Sequence, residues 1–153
     1  MMPPGLLALV VDDEPVVRRF IRRLLEPDAC GIVEAADGEA ALRLIEQNRP
    51  AVDLVLTDLR MPGIDGFDLL EVLAEHRPDL PVLCMSGFPT FAAGPMPRVP
   101  FLAKPFTSDA LRQAIEPVLA RARSRALPAD PVAVDLVAAA RRLKRERARR
   151  PPA

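Results

Sequence analysis

The sequence predicts an α/β fold in which a five-stranded parallel sheet is doubly wound with helices. Three observations carry that prediction. Over the first 120 residues, short continuous apolar runs alternate with segments of helical period. The apolar runs read as strands buried on both faces, not as half-exposed strands of an antiparallel sheet. Strand and helix follow each other five times, which calls for crossover connections, right-handed, with function at the carboxyl ends of the strands.

The elements follow in order. Gly5 to Val11 (GLLALVV) is the first strand. Pro15 stands where proline is tolerated, in the first turn of a helix. Val16, Val17, Phe20, Ile21, Leu24 and Leu25 recur at helical spacing, with Arg18, Arg19, Arg22 and Arg23 assigned to the other face. Gly31 to Ala35 is the second strand, and Asp37 caps a helix over about Gly38 to Gln47 that Asn48 and Pro50 end. Asp53 to Thr57 is the third strand, followed by a loop with Pro62, Gly63 and Gly66. Phe67 to His76 is a helix stopped before Pro78, Pro81 to Met85 the fourth strand, and Val99 to Ala103 the fifth. Thr107 or Ser108 caps a last helix to about Arg123, which Pro117 kinks unless the helix breaks there. Between the fourth and fifth strands, SGFPTFAAGPMPRVP holds four prolines and two glycines in 15 residues. A helix there is limited to one or two turns around Thr90 to Ala93, so an irregular or shortened fourth helix is expected.

The 153 residues contain 50% hydrophobic and 27% charged side chains, a globular balance that supports one folded domain. The formal net charge of zero hides an asymmetry. Residues 1–120 carry 11 basic and 18 acidic side chains, a balance of −7, and residues 121–153 carry 10 and 3, a balance of +7. We therefore expect a folded domain over 1–123 and, over 124–153, a linker (SRALPADP) and a basic helical tail. In the tail Val132, Leu136, Ala140 and Leu143 fall near one helical face. Three readings of it are open: a solvated helix, a contact for nucleic acid or acidic partners, or a helix packed on the domain or on a second chain. No aromatic residue interleaves its arginines and no DNA-binding motif is visible, so nucleic acid is the weaker partner. Cys30 and Cys84 are too few and too isolated for a disulfide framework or a tetrahedral zinc site. The single His76 excludes a histidine metal cluster, argues against a Ser-His-Asp triad, and reads as a solvent-facing helix end. No apolar run approaches a membrane span, and MMPPGLLALVVDDEP lacks the basic region of a secretory signal, so a cytoplasmic protein is expected.

Acids stand at strand ends: Asp12 and Asp13 after the first strand, Asp58 after the third. Three clustered carboxylates raise each other's pKa unless a cation is present, and a hard divalent ion such as Mg²⁺ with oxygen ligands resolves the repulsion. The same rim carries Ser86 after the fourth strand and Lys104 after the fifth. Lys104 supplies a point charge suited to a phosphoryl oxygen, and the tertiary amide of Pro105 can be cis and so re-aim it. Acids, metal, hydroxyl and ammonium describe a site that stabilises a phosphoryl group. With no Gly-rich phosphate loop in the chain, a carboxylate is the expected acceptor.

The pieces LLALVVDDEP at 6–15, DLVLTDLRMPGIDG at 53–66, PVLCMSG at 81–87 and FLAKPF at 101–106 together resemble the receiver domain of response regulators in bacterial two-component signalling, over about residues 5–123. The resemblance implies a flavodoxin-like, chemotaxis-receiver-like fold with strand order 2-1-3-4-5. It implies that Asp58 takes a phosphoryl group from a sensor histidine kinase or a histidine phosphotransfer protein. It implies Mg²⁺ held by Asp13, Asp58 and the backbone carbonyl of Arg60, with Asp12 binding largely through water. Ser86 hydrogen-bonds the phosphoryl group and moves toward it, Lys104 pairs with the same oxygens, and Gly87 leaves room. Phe101 takes the switch-aromatic position, where a phenylalanine signals by packing and not through a hydroxyl. The Ser86 to Lys104 segment is several residues shorter than the family's and disfavours the helix that normally forms the output and dimerisation face. Arg60 is a candidate for altering access of the hydrolytic water. The implied protein is a stand-alone phosphorylation-controlled interaction module or phosphorelay intermediate with a downstream protein partner, a second copy of the chain being one candidate. Self-phosphorylation and autodephosphorylation are its only catalysis.

Each residue also has a plainer reading. Asp12 and Asp13 can be helix caps, Asp58 a solvated turn residue, Ser86 a turn cap, Lys104 a surface lysine and Phe101 ordinary core. Two other functions compete. A Mg²⁺-dependent phosphohydrolase with Asp58 as nucleophile would want an acid two residues on, where this chain has Arg60; turnover of a chromogenic phosphate ester would favour it. A pseudo-receiver scaffold would bind its partner equally well as Asp58→Ala.

Overall fold

The computed structural model describes residues 5–28, 31–47, 51–87, 100–123 and 134–149. The strands are β1 (Leu7–Val11), β2 (Gly31–Ala35), β3 (Leu54–Asp58), β4 (Val82–Ser86) and β5 (Phe101–Ala103). The helices are α1 (Pro15–Leu25), α2 (Gly38–Gln47), α3 (Gly66–His76), α4 (Ser108–Arg123) and α5 (Leu136–Arg149). All strands are parallel, in the order β2-β1-β3-β4-β5. Among the described residues no helix is long and apolar enough to cross a membrane.

Alternation along the strands divides two cores. Ala8, Val10, Leu54, Leu56, Leu83 and Met85 face α1 and α4, where Ile21, Leu25, Leu111 and Ile115 close the layer. Leu9, Val11 and Val55 face α2 and α3. The caps foreseen in the sequence form: the Ala40 N–H donates to Asp37 at 2.8 Å, and the Ala110 N–H to Thr107 at 3.1 Å. At the start of α3 the capping is reciprocal, between Asp65 and Asp68.

The structure corrects one expectation and decides two questions that the sequence left open. On α1, Ile21 and Leu25 are buried, but Val16 is 72% and Phe20 43% exposed. Arg18, assigned from spacing to the outer face, turns toward the sheet, pairing with Glu34 of β2 at 3.2 Å and donating to the Asp12 carbonyl at 2.6 Å. The apolar stripe is wider than the contact, and the guanidinium contacts settle which edge of it is covered. The helix α4 does not break at Pro117. Pro117 lies on its exposed side, while Leu111, Ile115 and Val118 anchor the turns around it in the core. Finally, α5 is not a solvated tail. Its buried Leu136, Val137, Ala139 and Ala140 belong to the same core cluster as Leu42 and Ile45 of α2 and Leu69 and Leu73 of α3. Asp135 caps it, accepting from the Ala138 N–H at 3.0 Å. Val132, the linker, and the Thr90 to Ala93 stretch where the irregular fourth helix was expected lie outside the described residues.

Candidate functional site

The strand order reverses beside β1, and the carboxyl ends of β1 and β3 therefore open a crevice at the switch point of the sheet. Asp12 and Asp13 follow β1, and Asp58 ends β3. One ligand oxygen from each of these three carboxylates lies within 4.8 Å of the others. Ser86 ends β4, buried, and Lys104 follows β5; its backbone N–H donates to the Ser86 carbonyl at 2.8 Å. The Lys104–Pro105 bond is cis. The Lys104 ammonium reaches across the strand ends, 2.8 Å from Asp12 and 3.7 Å from Asp58. Five residues from four strand ends thus share one small volume.

Burial differs among the acids. Asp12 is fully buried, Asp58 half-buried and Asp13 exposed. Asp12 is held from three sides: the Glu14 N–H donates to its Oδ1 at 2.9 Å, Lys104 to its Oδ2, and Arg18 to its carbonyl. The Asp58 carboxyl is pushed above its ordinary value, first by burial; the neighbouring Lys104 charge and the Leu59 N–H pull it down, and Asp12 and Asp13 push it further up. One ammonium therefore does not neutralise three carboxylates. The donor set fits a hard divalent cation: carboxylate oxygens converging at short range, an exposed Asp13 on the solvent side, and residual negative charge. No nitrogen or sulfur ligand completes a softer set among the described residues.

The loop after Asp58 completes the floor. Gly66 begins α3 directly beneath it: a Cβ there would lie 2.2 Å from the Asp58 carbonyl oxygen, so only glycine lets the helix start this close. Gly63 turns the loop with φ +77°. Arg60, exposed, lines an open cleft of about 460 Å³ with Met61, Pro62, Asp65 and Phe67. Gly87, just past Ser86, faces Lys104: a Cβ there would stand 4.0 Å from that of Lys104. Phe101 pairs with Cys84 in register, two steps before the Ser86–Ala103 pair. Phe101 and Ser86 therefore lie on the same face of the sheet, Phe101 against Leu59, Leu70 and Cys84. Burial pushes the Cys84 thiol up to about 12, which makes it core and not a nucleophile.

Asp12, Asp13, Asp58, Ser86 and Lys104 converge on this rim with Gly87 beside Lys104, whereas Arg60 lines the adjoining cleft and Phe101 packs one layer below. Sequence reasoning missed Thr57, whose fully buried hydroxyl donates to the Asp58 carbonyl at 2.9 Å. It missed Arg18 as the partner of the Asp12 carbonyl. It also missed Asp68, buried at the start of α3 and paired with Arg147 of α5. A polar residue at the third position of a capped helix was the visible signal for Asp68; nothing local pointed to Arg147.

Known proteins match this arrangement. The family model described as response regulator receiver domain covers residues 8–116. The transcriptional regulatory protein GlrR of Escherichia coli (strain K12) is 36% identical over 115 residues, 72% of this chain. The match takes in only 26% of GlrR, so the chain corresponds to about a quarter of that relative. The crystal structure of the receiver domain from the hybrid histidine kinase CckA superposes with a TM-score of 0.61 at 37% identity, covering 74% of this chain and 98% of that one. A response regulator receiver domain protein from Clostridium thermocellum gives 0.65 at 28% identity, over 77% and 97%. In sequence, strand order and the placing of acids and lysine at the strand ends, the chain belongs to the response regulator receiver domain family.

Proposed function

We propose that Asp58 is the phosphoacceptor of this chain. An oxygen of its carboxylate attacks the phosphorus of a phosphohistidine on a sensor kinase or phosphotransfer protein. A P–O bond forms, the P–N bond breaks, and the imidazole leaves with a proton. The single observation that carries the reading is the Lys104 ammonium held between Asp12 and Asp58 at 2.8 and 3.7 Å, where it meets the charge a phosphoryl group would bring.

Asp13, Asp58 and the Arg60 carbonyl would hold Mg²⁺, with Asp12 contributing largely through water. When bound, the ion would supply charge neutralisation of the transferring group. Lys104 pairs with the phosphoryl oxygens and Ser86 donates its hydroxyl to them. Gly87 keeps that side open, and Phe101, in the packing layer below Ser86, follows its movement. The position two residues after Asp58 carries Arg60 in place of an acid, so no second carboxylate is there to serve an external phosphate ester. The chemistry is self-phosphorylation and autodephosphorylation, and the output is a downstream protein partner in the cytoplasm or the next carrier of a phosphorelay. The receiver proper spans 1–123, and 124–153 is a linker followed by the basic helix.

Incubation with acetyl phosphate and Mg²⁺, followed by intact mass, tests this. The wild type should gain one phosphate-sized increment that Asp58→Asn lacks. An unmodified wild type, with Mg²⁺ bound, overturns the reading in favour of a phosphorylation-independent scaffold. Arg60 is tested by phosphoaspartate lifetime: Arg60→Ala changes it if the side chain controls water, and equal lifetimes remove that role.

A further inference from the structure

Asp68 is buried so completely that its side chain has no exposure to water, yet it carries charge. Both of its cations come from α5. The Arg147 guanidinium lies 2.6 Å from Oδ1 and the Lys144 ammonium 3.5 Å from Oδ2. The same Oδ2 accepts the Asp65 N–H at 2.9 Å. Lys144 also donates to the Gly63 carbonyl. Both contacts, through Asp68 to Asp65 and directly to Gly63, end on the loop that runs from Asp58 to α3.

That loop is short and tied at its other end. The Leu59 N–H donates to the Met85 carbonyl at 3.2 Å, and the Gly66 N–H to the Leu59 carbonyl at 3.1 Å. A shift at Gly63 or Asp65 therefore reaches the Arg60 carbonyl and the Asp58 backbone within a few bonds. The two halves of α5 do different things. The first docks by apolar contact through Leu136, Val137, Ala139 and Ala140. The second adds charged contacts aimed at the loop and the start of α3: Lys144 to Gly63 and Asp68, Arg147 to Asp68 and Glu71. The apolar contacts of the first half, joined by Leu143 in the second, cover the core, and the charged set reaches past them to the loop.

We infer that α5 is an intramolecular clamp on the β3–α3 loop, so that seating of its charged half and binding of Mg²⁺ and phosphoryl group at Asp58 strengthen each other. Arg147, Lys144 and Asp68 are positioning residues; none touches the reacting atoms. Coupling of this kind is reciprocal: what α5 does for the site, the site does for α5. The inference rests on the phosphoryl-accepting reading of Asp58.

The test uses the full chain carrying Lys144→Met and Arg147→Met together, which keeps the apolar stems and removes both charges. Amide hydrogen exchange is read without metal or phosphoryl donor. Residues 59–66 should exchange about fivefold faster or more, with β3 unchanged. By calorimetry the Mg²⁺ dissociation constant should rise about fivefold, and Arg147→Lys alone should stay near wild type. In the wild type, Mg²⁺ with beryllofluoride should slow exchange over 134–149. Unchanged exchange at 59–66 overturns the clamp; a loosened loop with unchanged Mg²⁺ affinity overturns the coupling. If the double variant loses protection throughout the chain, Asp68→Asn takes its place, with the same local loosening expected and the same result overturning it. Failure of the wild type to accept a phosphoryl group would remove the phosphoryl reading and the phosphoryl half of the coupling, while the clamp and its coupling to Mg²⁺ would still stand or fall by the metal-free exchange and calorimetry arms.

Discussion

At Gly66 the packing has no slack. A methyl group there would meet the Asp58 carbonyl oxygen at 2.2 Å and the Leu59 Cα at 2.7 Å, both backbone atoms that cannot swing aside. Gly66→Ala should cost about 1–3 kcal/mol or more in thermal unfolding, and should impair phosphoryl uptake beyond that loss, because the strain falls on the acceptor residue. Asp58 itself stands against stability. Its carboxyl is raised above its unfolded value, chiefly by burial, so its contribution is fully present below the ordinary value of 3.8 and lost as pH rises through the raised one. Asp58→Asn removes that penalty, and at neutral pH without Mg²⁺ the Tm should rise by about 2–4 °C, the shift expected of about 1 kcal/mol in a chain of this size. An equal or lower Tm would show that the Lys104 contact already compensates the burial. Residue identities at the rim were legible in the sequence because each stands directly after an apolar strand. The contacts of Arg18 and Arg147 were not, since an exposed arginine and a partly buried one look alike in a helical pattern.

At the scale of elements, apolar period locates a helix more surely than it selects the covered face. The stripe on α1 predicts burial for Val16 and Phe20, and the structure leaves both exposed; Phe20 instead meets the Phe106 ring at 6.0 Å between centroids. The basic tail, which the sequence leaves open among three readings, shows the opposite case. Its few apolar residues suit a solvated helix, yet they close the core over α2 and α3. That face is what α5 needs, and a sequence pattern does not say which groove is vacant. Leu136→Ala should cost about 2–5 kcal/mol in chemical or thermal unfolding if α5 is part of the cooperative fold. A loss below about 0.5 kcal/mol, the level of a surface change, would return α5 to the status of a tail.

Across the whole molecule, the acidic body and the basic end answer each other. Arg141 pairs with Glu39, Arg142 with Glu75, and Arg147 with Asp68 and Glu71. The exposed pairs contribute little and are screened by salt. The Asp68 pair is different because breaking it would leave a buried charge. Burial raises the Asp68 carboxyl, but the Asp65 N–H and the Arg147 guanidinium outweigh it and hold the group below its ordinary value of 3.8. A depressed carboxyl contributes stability that is present above 3.8 and lost as pH falls through the folded value. Acid should therefore loosen α5, and Asp68→Asn should flatten the fall of stability with pH below about 4. A slope unchanged by Asp68→Asn would place the acid sensitivity elsewhere.

The sequence by itself determined the architecture and which residues stand at the rim. Short apolar runs alternating with helical segments read as strands of a parallel sheet, and the residues after them gather where those strands end. Only the tertiary structure decided which edge of α1 meets the sheet, that Arg18 turns inward, and that α5 docks on α2 and α3 to reach the loop beside Asp58. Those outcomes depend on which surfaces remain uncovered after the sheet has formed. They join residues 90 positions apart in the Leu136 to Glu46 contact and farther still in the Arg141 to Glu39 pair, and no local pattern records such pairings.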